Sequence, residues 1–269
     1  MQIGIVGHGI VGVALEYGFK KLGHSVVVHD VKYNTSIDDV LDTKTCYICV
    51  STPSNDDGSC DLSNVLAVVK ELAKKKYRGV IAIKSTVPPG TTYRLNRTFR
   101  NNNICFVPEF LRERCAVTDF TENHHLLVVG TFQEGVAEHI FNDHGRYPKK
   151  KAKMNATEAE ILKYAHNCFN ALRVVFANEI FEVSLACASD YNRIKDALIH
   201  TTHLPDMYLD VNDAMRGYRS PCFDKDVPAM AHFVKSIGLE HLKIFEFIEK
   251  ENDKFEKTAI PGTREDYEG

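Results

Sequence analysis

The sequence predicts an α/β fold in which a Rossmann-type doubly wound parallel sheet is followed by a helical domain with one long central helix. Two observations carry this prediction. A Gly-x-Gly-x-x-Gly segment, Gly7–Gly12, lies between an apolar strand pattern at Ile3–Val6 and an amphipathic helix that runs through about Leu22. Strand and helix patterns then alternate as far as Gly130, whereas the patterns from Thr157 onward are helical only.

The composition is that of a globular protein without a strong charge bias. The 269 residues are 44% hydrophobic and 26% charged, and the formal net charge is -3. Neither nucleic acid nor an anionic membrane is therefore an expected partner. No apolar run reaches the ~18 residues that a membrane-spanning helix needs. Met1 leads directly into a strand pattern rather than a signal peptide.

The eight cysteines also indicate a cytoplasmic protein. They are scattered along the chain without the spacing of a disulfide framework, as in compartments where thiols stay reduced. Cys46 and Cys49 are spaced like half of a zinc site, but they lie in a strand pattern, where residues three apart face opposite sides. We therefore expect no metal site.

The glycine-rich segment has the features of a dinucleotide-binding turn. Gly7 permits the turn, Gly9 lets the backbone approach a pyrophosphate, and Gly12 allows the helix to pack closely on the strand. Ile10 and Val11 begin the helix, whose N-terminus stabilises an anion. The segment therefore predicts a dinucleotide cofactor.

The second strand pattern, Ser25–Asp30, ends on a carboxylate about 20 residues beyond the glycines, as in dinucleotide-binding folds. Asp30 is expected to hold the ribose hydroxyls and to repel a 2′-phosphate. The sequence therefore favours NAD over NADP, although Lys32 lies close by.

Polar segments follow three later strands of the predicted sheet. The strand patterns are Thr45–Val50, Gly79–Lys84, Ile104–Val107 and His125–Gly130, with helical patterns near Leu62–Lys76 and Thr91–Phe99. The polar segments are Ser51–Ser54, which contains Thr52 and Pro53, then Ser85–Gly90, which contains Thr86, and Pro108–Glu113. Because ligands bind beyond the carboxyl ends of parallel strands, we expect these segments to form the walls of a cofactor site.

The third polar segment contains two acidic residues, Glu109 and Glu113, four positions apart. If the segment turns helically, both side chains point the same way, and a cationic or reactive group is expected opposite them. The alternative is a solvated face with Arg112 and Arg114 as neighbours.

A polar, basic stretch at Pro148–Lys153 is the best candidate for a domain boundary. It divides the chain into an NAD-binding domain at 1–153, a helical domain at 154–257 and a loose tail at 258–269. Thr157–Glu160 has the spacing of a capping box, and it opens a helical pattern of about 30 residues that extends to Leu185. A helix of this length, ~45 Å, is expected to bridge the two halves and to offer a surface for a homodimer.

Two polar residues of the long helix, Lys163 and Asn167, are four positions apart and project together. They are either a surface lysine with a polar neighbour or, beside a cofactor site, a pair that stabilises an oxyanion. Shorter helical patterns follow near Asp190–His200, Pro228–Ile237 and Leu239–Phe255.

The stretch Met215–Asp226 contains a candidate nucleophile, Cys222. Gly217 and Pro221 favour a turn before it, and Asp224–Ile237 is a helical pattern after it. At a helix N-terminus, the helix dipole favours thiolate over thiol.

Neighbouring charges act on that thiol in both directions. Lys225 favours the thiolate, whereas Asp224 and Asp226 oppose it. Pro228 is expected in the first turn of the helix, where proline is tolerated. The alternative is that Cys222 is a small apolar residue before an ordinary helix.

Together these segments resemble the UDP-glucose/GDP-mannose dehydrogenase family from Gln2 to about Glu256. The motifs are Gly7–Gly12 with Asp30, Ser51–Pro53, Ser85–Gly90, Pro108–Glu113, Ala159–Asn167 and Cys222–Asp226. The resemblance implies a four-electron oxidation that uses two NAD and converts the C6 alcohol of a nucleotide sugar into a carboxylate. UDP-glucose, oxidised to UDP-glucuronate for polysaccharide biosynthesis, is the substrate that it favours.

The resemblance also implies roles for individual residues. Cys222 captures the aldehyde as a thiohemiacetal, and Lys163 with Asn167 stabilises the oxyanion. A second hydride transfer gives a thioester, which water hydrolyses. Glu109, Thr86 and Asp226 are implied to assist hydrolysis. Glu113 and Lys225 are implied to lie near the cofactor. The implied substrate contacts are Glu109, Phe110, Leu111, Arg112, Lys163, Asn167 and Arg219.

The sequence departs from the family in three ways. Arg219 and Ser220 stand where two glycines are usual, and Asp224 stands where proline is common. Arg219 either takes over part of diphosphate binding or points into solvent. The helical patterns are followed by no third α/β domain, which in full-length relatives holds much of the nucleotide, so we expect that domain to be absent.

Two other functions are compatible with these features. A short hydroxyacid dehydrogenase of the 6-phosphogluconate and 3-hydroxyisobutyrate type also joins a Rossmann domain to a helical domain with a Lys-x-x-x-Asn pair. Chain length favours it, whereas Pro108–Glu113 and the Cys222 stretch oppose it. The other alternative is a non-catalytic NAD-binding protein that serves regulation or assembly.

Overall fold

A computed structural model describes residues 1–100, 103–202, 207–213, 215–220 and 222–255. Pro221, expected in the turn before Cys222, and the tail from Thr258 to Gly269, expected to be loose, lie outside these residues.

The chain begins with an α/β unit built on a seven-stranded sheet. Its strands are β1 (Gln2–Val6), β2 (Ser25–His29), β3 (Thr45–Ile48), β4 (Val80–Ile83), β5 (Ile104–Phe106), β6 (Leu126–Gly130) and β7 (Lys150–Met154). Their order in the sheet is β2-β1-β3-β4-β5-β6-β7. Every neighbouring pair is parallel except β5 and β6, which pair antiparallel through Phe106 and Gly130. The predicted fold class is therefore confirmed, with one antiparallel step in an otherwise parallel sheet.

Helices alternate with these strands and then continue alone. They are α1 (Ile10–Lys21), α2 (Ser63–Lys74), α3 (Thr91–Phe99), α4 (Ala116–Thr121), α5 (Val136–His144), α6 (Ala156–Ala186), α7 (Tyr191–Thr202), α8 (Phe223–Ser236) and α9 (Ile244–Asn252). Two single-turn 3-10 helices lie at Ile37–Val40 and Glu113–Cys115. The long predicted helix corresponds to the 31 residues of α6.

The sheet is buried on both faces because its strands alternate between two apolar cores. Ile5 and Tyr47 belong to one core, whereas their sequence neighbours Val6 and Ile48 belong to the other. Side chains of successive strand residues point to opposite faces, so a strand that is apolar throughout fills both layers.

The basic stretch that we expected to be a linker is an edge strand. Lys150–Met154 forms β7 and pairs in parallel with β6. The prediction was wrong because three lysines in a short segment are also typical of edge strands, where charged side chains discourage pairing with another chain. Lys150, Lys151 and Lys153 are exposed on this strand.

The predicted capping box of the long helix is displaced by two residues. Asn155 and Glu158 form the reciprocal pair: each backbone N–H donates to the side chain of the other at 2.9 Å. The sequence Thr157–Glu160 also fits the pattern, but α6 has already begun at Ala156. Glu160 is therefore not part of the cap.

The chain divides into two compact units within α6. The first comprises Met1–Asn55 and Cys60–Lys163, and the second comprises Asp56–Ser59 and the chain from Tyr164 onward. Two small apolar clusters stabilise the second unit. One packs Cys168 and Val175 of α6 with residues that include Val227 of α8 and Ile248 of α9, and the other centres on Phe181 and Tyr191.

Candidate active site

The glycine-rich turn between β1 and α1 has the geometry of a dinucleotide-binding loop. Gly7 has φ +93°, and a Cβ there would lie 2.6 Å from the carbonyl carbon of Cys49. A Cβ on Gly12 would lie 2.2 Å from the carbonyl oxygen of Gly7, so α1 packs directly against the turn. A Cβ on Gly9 would meet nothing within 4 Å, which leaves this backbone open to a ligand. Ile10 begins α1 and Val11 packs against the core.

Asp30 follows β2, and its carboxylate is fixed by backbone donors. The N–H of His8 donates to Oδ2 at 2.6 Å, and the N–H of Lys32 donates to Oδ1 at 2.9 Å. Although burial alone raises the pKa of Asp30, these hydrogen bonds and the Lys32 charge hold it below its ordinary value. Asp30 therefore presents a pre-oriented anion beside the glycine loop, as ribose binding requires.

His8 is a neighbour of Asp30 that the sequence analysis did not single out. Its Nδ1 lies 2.8 Å from the Tyr33 hydroxyl and its Nε2 lies 2.7 Å from Glu16 Oε2. The ring thereby links the glycine loop to α1 and to the segment after β2. No sequence pattern predicts this contact, because Tyr33 lies 25 residues away.

The first two polar segments at the sheet edge lie as predicted. Thr52 is buried and Pro53 is exposed after β3, and Thr86 is buried after β4. The Ser85 hydroxyl donates to the carbonyl oxygen of Val50 at 2.6 Å, so the two segments are tied together.

Glu109 and Lys163 form a buried ion pair. Lys163 Nζ lies 2.8 Å from both the Oε1 and the carbonyl oxygen of Glu109, and their side chains are 3% and 11% exposed. Glu109 Oε2 also accepts a hydrogen bond from the N–H of Leu111 at 2.8 Å. The ring of Phe110 lies 5.8 Å from Lys163 Nζ.

The ion pair sets the charge of Glu109. Burial alone raises the pKa of this carboxyl, but the Lys163 charge, its hydrogen bond and the Leu111 N–H hold the pKa below the ordinary value. Glu109 is therefore a carboxylate at neutral pH. The Lys163 ammonium group lies opposite it, in agreement with the sequence interpretation that expected a cationic group there rather than a solvated face.

Glu109 and Glu113 do not share a helical face. The chain is not helical from Pro108 to Arg112, and the 3-10 helix begins only at Glu113. The helical interpretation was wrong because the Glu109 carbonyl oxygen accepts from Lys163 and the Leu111 N–H donates to the Glu109 carboxylate, rather than to helical backbone partners. Arg112 uses Nε and Nη2 to bind Asp119 at 2.9 and 2.7 Å.

Glu160 connects α6 to the second polar segment of the sheet edge, Ser85–Gly90, and to the start of α3. Its two carboxylate oxygens accept hydrogen bonds from the N–H of Gly90 at 2.5 Å and of Thr92 at 2.8 Å. Glu160 is fully buried, and it satisfies N–H groups at the N-terminus of α3. The sequence analysis missed this role, because it placed Glu160 in a capping box.

In the second unit, Asp226 binds two of the predicted site residues. Asn167 Nδ2 donates to Asp226 Oδ2 and Lys225 Nζ donates to Asp226 Oδ1, both at 2.5 Å. Asp226 is 1% exposed, and of these two partners Lys225 is the cation while Asn167 is a neutral donor. The Asn167 side chain is therefore held by α8.

Cys222 directly precedes α8 and is half-buried. Ser220 and Asp224 brace this helix start: the Ser220 hydroxyl accepts from the N–H of Phe223 at 3.0 Å, and Asp224 Oδ2 accepts from the N–H of Ser220 at 3.2 Å. Ser220 and Asp224, which both depart from the family pattern, thus form a cap at the start of α8. Arg219, beside this cap, is exposed.

Pro228 does not lie in the first turn of α8. The helix begins at Phe223, so Pro228 is its sixth residue, beyond the positions whose N–H groups lack a helical partner. The prediction was wrong because α8 begins five residues before Pro228.

The site residues thus fall into two groups joined by α6. Lys163 lies at the end of the first unit, and Asn167, one turn later, lies in the second. The open backbone at Gly9, the Asp30 carboxylate and the N-terminus of α1 fit a dinucleotide. Among the described residues, no group of His, Cys, Asp or Glu side chains could hold a metal ion. The fold and the glycine loop together define a Rossmann-type dinucleotide-binding protein.

Comparison with known proteins identifies the family. Residues 31–142 match the NAD binding domain, and residues 157–254 match the central domain, of the UDP-glucose/GDP-mannose dehydrogenase family. A UDP-glucose 6-dehydrogenase of Bacillus subtilis is 27% identical, over 94% of this chain and 63% of the relative. The solved structure of a UDP-glucose dehydrogenase from Pyrobaculum islandicum gives a TM-score of 0.85 at 28% identity, over 94% of this chain and 68% of that chain.

This chain belongs to the UDP-glucose/GDP-mannose dehydrogenase family. NAD, expected from the glycine loop and Asp30, is confirmed as the cofactor by the NAD binding domain of that family. An uncharacterized protein of Methanocaldococcus jannaschii is 29% identical over 94% of this chain and 33% of its own length. The chain therefore spans between one third and two thirds of the length of these two curated relatives. Within the described ranges, no helix is both long enough and apolar enough to cross a membrane.

Proposed function

We propose that this chain oxidises the C6 alcohol of a nucleotide sugar to the carboxylate, with UDP-glucose as substrate and UDP-glucuronate as product. The observation that carries the proposal is the pairing of Lys163 with Glu109 and of Asn167 with Asp226. Two adjacent positions on one face of α6 thus combine a cation and an amide donor, each next to a carboxylate. An anionic tetrahedral centre requires such donors.

The predicted NAD-binding domain, 1–153, is proposed to bind NAD, which accepts a hydride in each oxidation. The helical domain, 154–257, is proposed to supply Lys163, Asn167 and the thiol of Cys222. Lys163 binds the C6 oxygen of the alcohol and stabilises its negative charge as the hydroxyl proton passes to water. Loss of a hydride from C6 then gives the aldehyde.

The Cys222 thiolate adds to the aldehyde carbon and forms a C–S bond, and the carbonyl oxygen becomes the oxyanion of a thiohemiacetal. Lys163 and Asn167 donate hydrogen bonds to that oxygen. The N-terminus of α8 favours the thiolate. Loss of a second hydride, to a second NAD, leaves a thioester of Cys222.

Water then attacks the thioester carbon, and the C–S bond breaks to release the carboxylate product and the thiolate. Glu109 is proposed to take the proton of the attacking water, with Thr86 and Asp226 as the polar groups that orient it. Glu113 and Lys225 are proposed to lie near the nicotinamide. Phe110, Leu111 and Arg112 are proposed substrate contacts with Glu109.

A homodimer is proposed as the working assembly. Phe169, Phe176 and Val183 recur every seven residues on α6 and are 58%, 51% and 56% exposed. A stripe of this kind on one helix face can bind the same stripe of a second copy. Light scattering is expected to give twice the chain mass, and Phe176→Glu is expected to give the monomer. Leu242→Glu, at an exposed position outside α6, is the matched control.

The amount of NADH formed per molecule of UDP-glucose tests the function. We expect two, because the thiohemiacetal is oxidised before release. A value of one supports a hydroxyacid-type dehydrogenase, and a value of zero supports a non-catalytic NAD-binding protein. Cys222→Ser is expected to abolish formation of the carboxylate while NAD binding, measured by calorimetry, is retained.

A further inference from the structure

Lys84, which the proposed mechanism does not use, lies beside the Lys163–Glu109 pair. It follows β4 directly and is 4% exposed. Its ammonium group donates a hydrogen bond of 3.3 Å to the carbonyl oxygen of Pro108. Lys163 Nζ donates to the next carbonyl oxygen, that of Glu109, at 2.8 Å. Two buried ammonium groups therefore hold consecutive carbonyls of the segment that presents the Glu109 carboxylate.

Glu109 is an anionic neighbour of Lys84. Burial lowers the pKa of Lys84 to about 8, against the attraction of Glu109, so Lys84 is a cation at neutral pH. The other titratable groups that interact with it are Lys163, Cys49, Cys105, His124 and His144. Burial raises the pKa values of both thiols and lowers those of both imidazoles, so these four groups are neutral near pH 7.

Lys163 has two roles in the proposed function. It binds Glu109 Oε1 in this structure, and it is proposed to bind the substrate oxygen during oxidation. The positive charge of Lys163 is then shared with the substrate oxyanion, and a buried carboxylate whose cation is shared takes up a proton more readily. A protonated Glu109 could not accept the proton of the attacking water.

We propose that Lys84 is a positioning residue that acts through Glu109, keeping this carboxylate ionised and in place while Lys163 binds the substrate. The inference rests on the proposed function. It gives the two lysines different roles. Lys163 stabilises the oxyanion, and Lys84 keeps Glu109 ionised as the base for the later hydrolysis.

The pH profile of kcat tests this role. Lys84→Gln keeps a donor for Pro108 without the charge, Lys84→Met removes both, and Lys84→Arg keeps the charge. We expect the acid limb to move up by about one pH unit in the Gln and Met variants, so that the rate falls about tenfold along that limb and recovers at higher pH. The Arg variant is expected to keep the wild-type limb. An unmoved acid limb in both uncharged variants would overturn the proposal.

Lys75→Met is the matched control for the loss of one positive charge. Lys75 lies on the surface of the same unit and pairs with Asp38 at 2.6 Å, away from the sheet edge that carries Glu109. We expect it to leave the pH profile of kcat unchanged.

A double-mutant cycle in unfolding gives a readout that needs no turnover. Urea denaturation is compared for Lys84→Gln, Glu109→Gln and the double variant, with Lys163 present and with Lys163→Met. We expect coupling between Lys84 and Glu109 of about tenfold in the unfolding equilibrium constant in the Lys163→Met background, where Lys84 is the remaining cation. No coupling in either background would overturn the assignment. If coupling is found but wild type forms no NADH from UDP-glucose, the proposed function fails and the Lys84–Glu109 assignment stands.

Discussion

The carboxylate of Glu160 binds the backbone N–H of Gly90 at 2.5 Å, so the helix that carries Lys163 also holds the segment that carries Thr86. The same carboxylate accepts from the N–H of Thr92 at 2.8 Å. Burial raises the pKa of Glu160, although these hydrogen bonds oppose the rise. The contact fixes the start of α3 relative to α6 within the first unit.

Replacing Glu160 by glutamine should loosen this loop. The amide keeps one acceptor but sets an NH₂ group against a backbone donor. We expect the free energy of unfolding to fall by about 1–3 kcal/mol and KM for NAD to rise several-fold. Urea denaturation and initial rates measure these effects. Glu158→Gln is the control: glutamine keeps an acceptor for the N–H of Asn155, so it should change stability by less than about 0.5 kcal/mol. Equal effects of the two variants would contradict the role of Glu160.

The Glu109–Lys163 pair should make stability depend on pH. The pKa of Glu109 is lowered in the folded chain, so its contribution is fully present above the unfolded pKa of about 4.3 and is lost as pH falls through the folded pKa. Glu109→Gln is expected to cost about 3 kcal/mol at pH 7, because it leaves Lys163 buried without its carboxylate.

Urea denaturation of wild type and Glu109→Gln from pH 7 to pH 3 measures this difference, which should shrink toward the acid end. Glu138→Gln, at a half-exposed pair 4.0 Å from Lys153, is the control and is expected to change stability by less than about 0.5 kcal/mol. A difference that is independent of pH would show that Glu109 is not ionised in the folded chain.

Local signals in the sequence predicted most of the first unit. The strand before Gly7 and the helix after it are local patterns, and their geometry follows from steric limits on glycine. β7 was not predicted, because Lys150–Met154 lacks the apolar alternation that marks a strand. The segment is a strand because it pairs with β6.

The site was predictable where residues act through their own element. Lys163 and Asn167 share a helical face because of their spacing. The roles of Lys84 and Glu160 depend instead on contacts across 24 and 70 residues of sequence, with Pro108 and Gly90. No local pattern indicates such contacts, so the sequence left Lys84 unassigned and placed Glu160 in a capping box.

Asp30 should determine the choice between NAD and NADP. Asp30→Ala is expected to weaken NAD binding by about tenfold, because the ribose hydroxyls lose a charged acceptor. Asp30→Asn keeps an acceptor for one of the two N–H groups, that of His8 or that of Lys32, and removes the charge that repels a 2′-phosphate. We expect calorimetry to show a smaller difference between the dissociation constants of NAD and NADP for this variant than for the wild type. Wild-type binding of NADP as tight as that of NAD would contradict the assignment.

Arg219 should contribute to binding the anionic part of the substrate. It is exposed beside the Ser220 cap, three residues before Cys222, at a position where the family resemblance implies glycine. A charge-assisted contact to a diphosphate contributes about 1.5–3 kcal/mol. We therefore expect Arg219→Ala to raise KM for UDP-glucose by roughly tenfold or more, while NAD affinity is unchanged. Arg219→Lys is expected to recover part of the loss, because it keeps the charge without the planar fork. Arg219→Gly separates the alternatives: a rise in KM like that of the alanine variant supports anion binding, whereas an unchanged KM or a gain in activity would show that the arginine obstructs the substrate.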